Sequence, residues 1–204
     1  MGITPQQFKR LQERLETPRR QASPAMATGA ASKAPARSHQ IILGLDPSLR
    51  GTGYGIIRAG RPQAVSLEQG TIRCPASWER SQCLVRIVQT LREVIQRTRP
   101  SVCVVEGLFY AQNLQTTLIM GEARGAALAT VAEAGLAIYE LAPRRVKQAI
   151  VGYGAAQKLA VARMVQRMLQ LAQVPEPDAA DALALALTFA QEQARHSLHG
   201  PKKI

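Results

Sequence analysis

Cysteine and histidine are scarce in this chain of 204 residues, and their positions argue against several kinds of site. The cysteine count is odd and includes no C-x-x-C pair, which favours neither a disulfide framework nor a zinc ribbon and indicates reduced thiols. The histidines lie in the terminal segments, so neither a histidine general base nor a histidine-based zinc site is expected in the core. The residues concerned are Cys74, Cys83, Cys103, His39, His196 and His199.

Long apolar runs are also lacking. No run approaches the roughly 18 to 20 residues that a membrane-spanning helix needs, and the N-terminus does not show the basic-then-apolar order of a secretory signal. An apolar content of 46% is nevertheless enough for a sizeable core. We therefore expect a soluble, cytoplasmic protein with a globular body and no membrane partner.

Acidic residues are few relative to basic ones. The chain has 26 Lys and Arg against 14 Asp and Glu, a net charge of +12. Such an excess suits a polyanionic partner, because each phosphate that Lys or Arg neutralises releases counterions. Charge alone favours nucleic-acid binding and leaves open a basic protein that is merely soluble or lies next to ribosomes. It indicates no chemistry.

The composition divides the chain into three parts. Residues 1–40 form an N-terminal extension, in which TPQQFKRLQERLE predicts one short amphipathic helix with Thr4 as its N-cap, followed by a flexible linker rich in Ala, Pro, Ser and Arg. Residues 41–195 form the globular domain, and residues 196–204 a basic tail. The rest of the chain stays basic without the extension. The extension itself is compatible with a DNA-contacting arm, a docking peptide or a dispensable tail.

Periodicity predicts a mixed α/β fold. Three segments with strand character, IILGLD, TGYGIIRAG and AVSLEQGTIR, follow one another through short loops, which predicts an antiparallel start to a sheet. Two further strands, SVCVVE and AIYELA, alternate with helices. The predicted helices span residues 81–100, the Gly- and Ala-rich segment 113–135, residues 143–152, residues 156–171 and the apolar segment after Pro177. This order predicts a five-stranded mixed sheet with helices on both faces.

Two of the predicted strands end in a carboxylate, Asp46 after IILGL and Glu106 after SVCVV. Ligands gather at the carboxyl ends of strands in open α/β sheets, so both acids are expected at one edge. Carboxylates held close together raise each other's pKa unless a cation lies between them, which indicates a metal site. Taken singly, Asp46 is explained equally well by an Asp-Pro turn, and Glu106 by simple solvation.

A second pair of acids opens the last predicted helix. Asp178 and Asp181 in PDAADALALAL are three residues apart, which places them on one helix face. Acids in a first turn also cap backbone amides, and this explains one of them but not two on an otherwise apolar helix. Oxygen ligands without nearby His or Cys suit Mg²⁺ or Mn²⁺. Four such acids in a basic protein favour two-metal phosphodiester chemistry.

Five segments in order, LGLDPSLRGTGYG, VVEGLFYAQN, GEARGAAL, VKQAIVGYGAAQK and PDAADALALAL, resemble the RuvC family of bacterial Holliday-junction resolvases over residues 41–190. The resemblance implies a ribonuclease H-like fold, a homodimer, and paired nicking of a four-way DNA junction with Mg²⁺ or Mn²⁺, two ions per active site. It also implies that RuvA and RuvB, a branch-migration assembly, are partners. The catalytic metal ligands that it implies are Asp46, Glu106, Asp178 and Asp181.

The resemblance also assigns roles outside the acids. Lys147 in VKQ and Lys158 in AQK match lysines that the family needs for cleavage; without the resemblance, each is interpreted as a solvated surface lysine. Phe109 matches an aromatic that contacts distorted bases at the crossover, and Tyr110 adds a second ring, although aromatics beside a strand end are more often core. Arg124 in GEARG matches a family arginine that either contacts DNA or packs the helix.

Three positions depart from the family pattern. Ser48 stands where the family usually has Gly after Asp-Pro, which predicts a slightly stiffer first loop. Gln112 and Ile119 stand where many relatives carry Lys, which predicts weaker phosphate contacts near the junction centre. None of these changes removes a catalytic acid, so we expect activity but not necessarily the usual sequence preference.

Three other functions fit part of the pattern. A non-cleaving junction-binding protein needs the basic surface but not the fourfold acid set. A ribonuclease H-like nuclease that acts on structured RNA shares the acids. An actin-like ATPase opens with a similar strand and a glycine-rich loop, in which Gly51, Gly53 and Gly55 would cradle phosphate, but that fold repeats its domain and residues 41–204 are too few for two copies.

Overall fold

The structure is a computed structural model and describes residues 40–107, 114–195 and 201–204. Its sheet begins with an antiparallel meander of the strands β1 (Ile41–Asp46), β2 (Gly51–Arg58) and β3 (Val65–Arg73). The antiparallel start predicted from the sequence is confirmed. The predicted extension lies outside the described residues except for Gln40.

The rest of the sheet is built on the other side of β1. Strand β4 (Val102–Glu106) runs parallel to β1, and β5 (Ala137–Leu141) runs parallel to β4. A short β6 (Lys202–Lys203) pairs antiparallel with β5, which completes the order β3-β2-β1-β4-β5-β6. The prediction of five strands was therefore wrong by one. Strand β6 consists of two lysines of the predicted basic tail and joins the sheet through backbone pairing. It was missed because these residues show no alternation of apolar and polar side chains.

Helices cover both faces of the sheet, as predicted. In the described part of the chain they are α1 (Arg80–Thr98), α2 (Leu114–Glu133), α3 (Pro143–Val151), α4 (Lys158–Leu169) and α5 (Pro177–Arg195). Consecutive strand residues point to opposite faces, so Leu43 of β1 packs in the core with α1 and α2, while Ile42 packs in the core with α3, α4 and α5. None of the helices described here is long and apolar enough to cross a membrane.

Helix α5 is the most deeply buried of these helices. Its residues 182–187 are at most 3% exposed, because they are apolar on every side and contact the sheet as well as α3 and α4. Because the packing of residues 182–187 holds the middle of α5 in place, it also sets the position of the first turn of the helix. The start of α5 is where Asp178 and Asp181 lie.

Candidate active site

The carboxyl ends of the two central strands bring two acids together. Asp46 is the last residue of β1, and Glu106 is the last residue of β4. The strands are parallel and in register, so both acids leave the sheet at the same edge. Ile42 and Val104, which lie an even number of residues before them, pack in the core under α5. Both acids therefore point to the α5 side of the sheet.

Helix α5 reaches these acids because it lies on a glycine bed, which we define as Gly44, Gly53 and Gly55. A Cβ atom at Gly53 would overlap the backbone carbonyl oxygen of Asp178, and one at Gly44 would overlap that of Ala182. Any other residue type would push the helix outwards, since the obstacle is backbone in both cases. The glycines are needed here for the close approach of a helix to a sheet.

Burial and mutual repulsion dominate the electrostatics of this edge. Burial raises the pKa of Asp46 to about 7, with Glu106 and Asp181 as the next largest causes. Asp178 adds to this rise, and Lys158 opposes it. Burial also raises the pKa of Glu106, with a further contribution from Asp181. The structure thus brings the four acids together in one electrostatically coupled group.

Two lysines lie beside the acids. Lys158, the first residue of α4, donates from Nζ to Oδ2 of Asp181 at 3.0 Å, and its side chain is 69% exposed. Lys147, on α3, is close enough for its charge to oppose the burial that raises the pKa of Glu106. Positive side chains beside a group of acids are suited to receive an approaching phosphate.

The donor set suits a hard divalent cation. Carboxylate oxygens are the ligands that Mg²⁺ and Mn²⁺ prefer, and a cation would relieve the repulsion that adds to the raised pKa of Asp46. Across the residues that the structure describes, no three His, Cys, Asp or Glu side chains form a ready-made metal cluster. The carboxylate of Asp181 instead accepts a hydrogen bond from Lys158. The acids fit a metal ion by their chemistry, and holding one requires their side chains to converge.

Arg124 is buried, and both ends of its guanidinium group are occupied. The residue is 7% exposed; Nη1 donates to the backbone carbonyl oxygen of Glu106, and Nη2 donates to Oε1 of Glu140 at 2.8 Å. Of the two roles considered for Arg124, these contacts favour packing over DNA contact. Glu140 is not among the site residues predicted from the sequence, although an acid inside the short apolar strand AIYEL is a signal that could have found it.

The remaining positions named from the sequence are the two aromatics and the three departures from the family pattern. Phe109, Tyr110 and Gln112 lie outside the described residues. Ile119 packs, partly buried, against the core beneath α1 and α2. The backbone N–H and C=O of Ser48 both pair with Oγ1 of Thr52, at 3.2 and 2.6 Å, and these bonds hold the bend after β1.

The sheet of this protein opens with a meander, carries helices on both faces and ends its central strands in acids. These features place it in the ribonuclease H-like class of α/β proteins. The solved structure described as T. thermophilus RuvC in complex with Holliday junction substrate matches with a TM-score of 0.74 at 33% identity, covering 81% of this chain and 100% of that chain. The yeast mitochondrial Holliday junction resolvase shares the fold, with a TM-score of 0.54 at 12% identity over 78% of this chain and 82% of that chain.

Sequence comparison is more specific. The profile of the family described as crossover junction endodeoxyribonuclease RuvC matches residues 42–189. The crossover junction endodeoxyribonuclease RuvC of Akkermansia muciniphila is 45% identical over 147 residues, which are 72% of this chain and 88% of that protein. The protein of the same name from Halorhodospira halophila is 46% identical over 152 residues, 74% of this chain and 90% of that protein. The chain belongs to the RuvC family.

Proposed function

We propose that this protein resolves four-way DNA junctions by paired, symmetric nicks, and that it acts in recombination and DNA repair in the cytoplasm. Hydrolysis of the two phosphodiester bonds would leave 5′-phosphate and 3′-hydroxyl ends. The observation that carries the proposal is the coupled group of four acids at the ends of β1 and β4 and the start of α5, in a chain of the RuvC family. The T. thermophilus relative was solved with a Holliday junction substrate, which supports junction DNA as the substrate class.

The four acids would hold Mg²⁺ or Mn²⁺, two ions per active site. Divalent ions in such a site supply Lewis-acid stabilisation and generate a water nucleophile at neutral pH. Asp46 would be the central ligand of the set, because Glu106 and Asp181, and to a smaller extent Asp178, all raise its pKa. Glu106 at the end of β4 and the two aspartates at the start of α5 would supply the remaining ligands.

The lysines complement the acids. Lys147 and Lys158 hold positive charge where the scissile phosphate would lie, and such charge stabilises the negative charge that develops on phosphate oxygens in the transition state. The side chain of Lys158 is exposed enough to turn from Asp181 towards a phosphate. Both lysines therefore act on the substrate rather than on the fold.

Recognition of the crossover requires contacts beyond the acids. Phe109 and Tyr110 follow shortly after Glu106, and we assign them to stacking on unpaired or distorted bases. The net charge of +12 supports binding to the phosphate backbone around them. RuvA and RuvB are the partners proposed for delivering the junction.

Two opposed nicks require two active sites, which a homodimer supplies. Helix α2 supports such an assembly, because Leu114 and Leu118 are 74% and 59% exposed. Gly121 and Gly125 continue the same helix face, and a Cβ atom at either position would meet no atom within 4 Å. Exposed leucines beside exposed glycines offer an apolar surface that a second copy can approach closely.

The glycines of the ATPase alternative have another use in the structure. Gly53 and Gly55 belong to the bed beneath α5, and a Cβ atom at Gly51 would lie 2.9 Å from Oδ2 of Asp178. The face that would cradle a phosphate is thus covered by the helix. This observation counts against nucleotide binding and favours the nuclease.

A gel assay tests the proposal. The full-length protein is incubated with a mobile four-way DNA junction, linear duplex or structured RNA, in Mg²⁺, Mn²⁺ or EDTA. We expect metal-dependent, symmetric nicks in the junction alone, lost in Asp46→Asn and retained in the control Glu133→Gln, whose carboxylate lies at the far end of α2. Tight junction binding without nicks would leave a non-cleaving binding protein, and cleavage of RNA alone would indicate an RNA-directed nuclease.

A further inference from the structure

The backbone that follows Glu106 is held by β5. Glu106 pairs with Leu141, and the N–H of Gly107 donates to the carbonyl oxygen of Leu141 at 2.8 Å. A Cβ atom at Gly107 would lie 3.4 Å from that oxygen and 3.4 Å from Cγ of Glu140. The end of β4 is therefore hydrogen-bonded to the end of β5, and the side chain of Glu140 lies within van der Waals range of position 107.

Arg124 reaches the same point from α2. Its two hydrogen bonds use different nitrogens, one to the carbonyl oxygen of Glu106 and one to the carboxylate of Glu140. A guanidinium group is planar, so a pair of bonds from its two ends fixes the orientation of one acceptor relative to the other. A lysine at this position would keep the charge and lose that fork. The contact thus ties the peptide of Glu106 to both α2 and β5.

The pair is partly desolvated, and its geometry is specific. The side chains of Arg124 and Glu140 are 9% and 22% exposed, and the second oxygen of Glu140 lies 4.0 Å from Nζ of Lys202 in β6. A buried ion pair is in itself a weak source of stability, because desolvation offsets much of the attraction. What this pair does provide is a fixed orientation at the last residue of β4, where a metal-ligating carboxylate is proposed.

We infer that Arg124 and Glu140 are positioning residues for Glu106: they fix the peptide from which its carboxylate projects and so set how readily it shares an ion with Asp46. The inference rests on the proposed function. Neither residue contacts the substrate or the reacting atoms in this role. An arginine that contacted DNA would instead govern junction affinity and leave metal affinity unchanged.

The test measures metal binding separately from catalysis. Full-length Arg124→Gln, Arg124→Lys and Glu140→Gln are compared with the wild type and with the control Arg92→Gln. Arg92 is matched to Arg124 because it also joins a helix to a glutamate, Glu133 at 2.8 Å, but on the exposed surface between α1 and α2. The readouts are Mn²⁺ binding without DNA, junction affinity in EDTA, the single-turnover nicking rate at saturating enzyme, and hydrogen exchange at the Gly107 amide.

Residues that orient metal ligands typically contribute about 10- to 100-fold to metal affinity or activity. We therefore expect Arg124→Gln to weaken Mn²⁺ binding and to lower the saturated nicking rate by at least about tenfold each, on the same basis. Its junction affinity should stay within about twofold of the wild type, since a positioning residue makes no phosphate contact. Arg124→Lys should show a smaller loss than Arg124→Gln. Hydrogen exchange at the Gly107 amide should be faster in both Arg124 variants than in the wild type.

Several outcomes would overturn the inference. Weaker junction binding with unchanged Mn²⁺ affinity would make Arg124 a DNA-contacting residue, and equal losses in Arg92→Gln would remove any special role. If circular dichroism shows that Arg124→Gln does not fold, Glu140→Gln carries the test, and wild-type behaviour of that variant refutes the positioning role. A wild-type protein that binds Mn²⁺ but nicks no junction would refute the proposed function, and the Mn²⁺ affinities of the variants would still decide the positioning role.

Discussion

Replacing Gly53 by alanine tests whether the glycine bed sets the position of the α5 acids. The added Cβ atom would overlap the carbonyl oxygen of Asp178, which belongs to the helix backbone and cannot rotate away. The start of α5 must then move outwards. Asp178 and Asp181 would move with it, away from Asp46.

The size of the effect follows from the packing. Overpacking a core position costs about 1–3 kcal/mol, and the upper end applies because the obstacle is the backbone of a deeply buried helix. The alanine also reduces the conformational entropy of the unfolded chain, which stabilises the folded state by about 0.4–1 kcal/mol. The expected net loss in the free energy of unfolding is about 2 kcal/mol. Gly51→Ala is the graded comparison and should cost less, because the nearest atom to its Cβ would be Oδ2 of Asp178, at 2.9 Å, which belongs to a side chain and not to the backbone.

Urea unfolding in EDTA measures the loss of stability, and a separate junction-nicking assay of the folded variants measures the loss of activity. Since a misplacement of catalytic groups by about 1 Å can cost about 10²-fold in rate, we expect Gly53→Ala to lose roughly that much activity. Gly53→Ala with wild-type stability and a wild-type nicking rate would refute the account of the glycine bed. A larger loss of stability in Gly51→Ala than in Gly53→Ala would also contradict it.

Three further predictions concern charge and assembly. The pKa of Asp46 rises from 3.8 to about 7 on folding, so between these pH values only the folded state holds the proton. The metal-free protein should therefore lose stability as the pH rises through this window. Urea unfolding in EDTA should show that the free energy of unfolding depends less on pH in Asp46→Asn than in the wild type. A steeper profile for the variant would contradict this. Lys158→Gln should lower the nicking rate about 10²-fold with an unchanged melting temperature, because it removes charge at the phosphate from a largely exposed side chain. Leu118→Glu should give monomers in size-exclusion chromatography with light scattering and unpaired nicks, and persistent dimers would count against the α2 interface.

Much of the fold was predictable because local patterns specify it. The buried run before Asp46 and the similar run before Glu106 are strands by their apolar continuity, and parallel neighbours necessarily end at one edge. The spacing of Asp178 and Asp181 specifies a common helix face without any tertiary information. These four positions could be predicted as a group because each is defined by where a regular element begins or ends.

The features that escaped prediction depend on partners far away in the chain. The glycines of β2 look like a loop or a phosphate cradle until α5 is placed on them, since nothing near Gly53 indicates which backbone approaches it. The bond from Arg124 to the carbonyl oxygen of Glu106 involves a backbone acceptor, which carries no sequence signature. Strand β6 likewise forms through backbone pairing of Lys202 and Lys203 with β5.

The placement of two acids on α5 has a consequence for synthesis. Asp46 and Glu106 are translated early, whereas Asp178 and Asp181 arrive on the last helix described. A nascent chain, or one released by a premature stop codon before α5, would carry half of the carboxylates and would leave the glycine bed uncovered. The full set of carboxylates therefore comes together only late in translation, so a partly made or truncated chain lacks the acid set on which nicking of chromosomal DNA would depend.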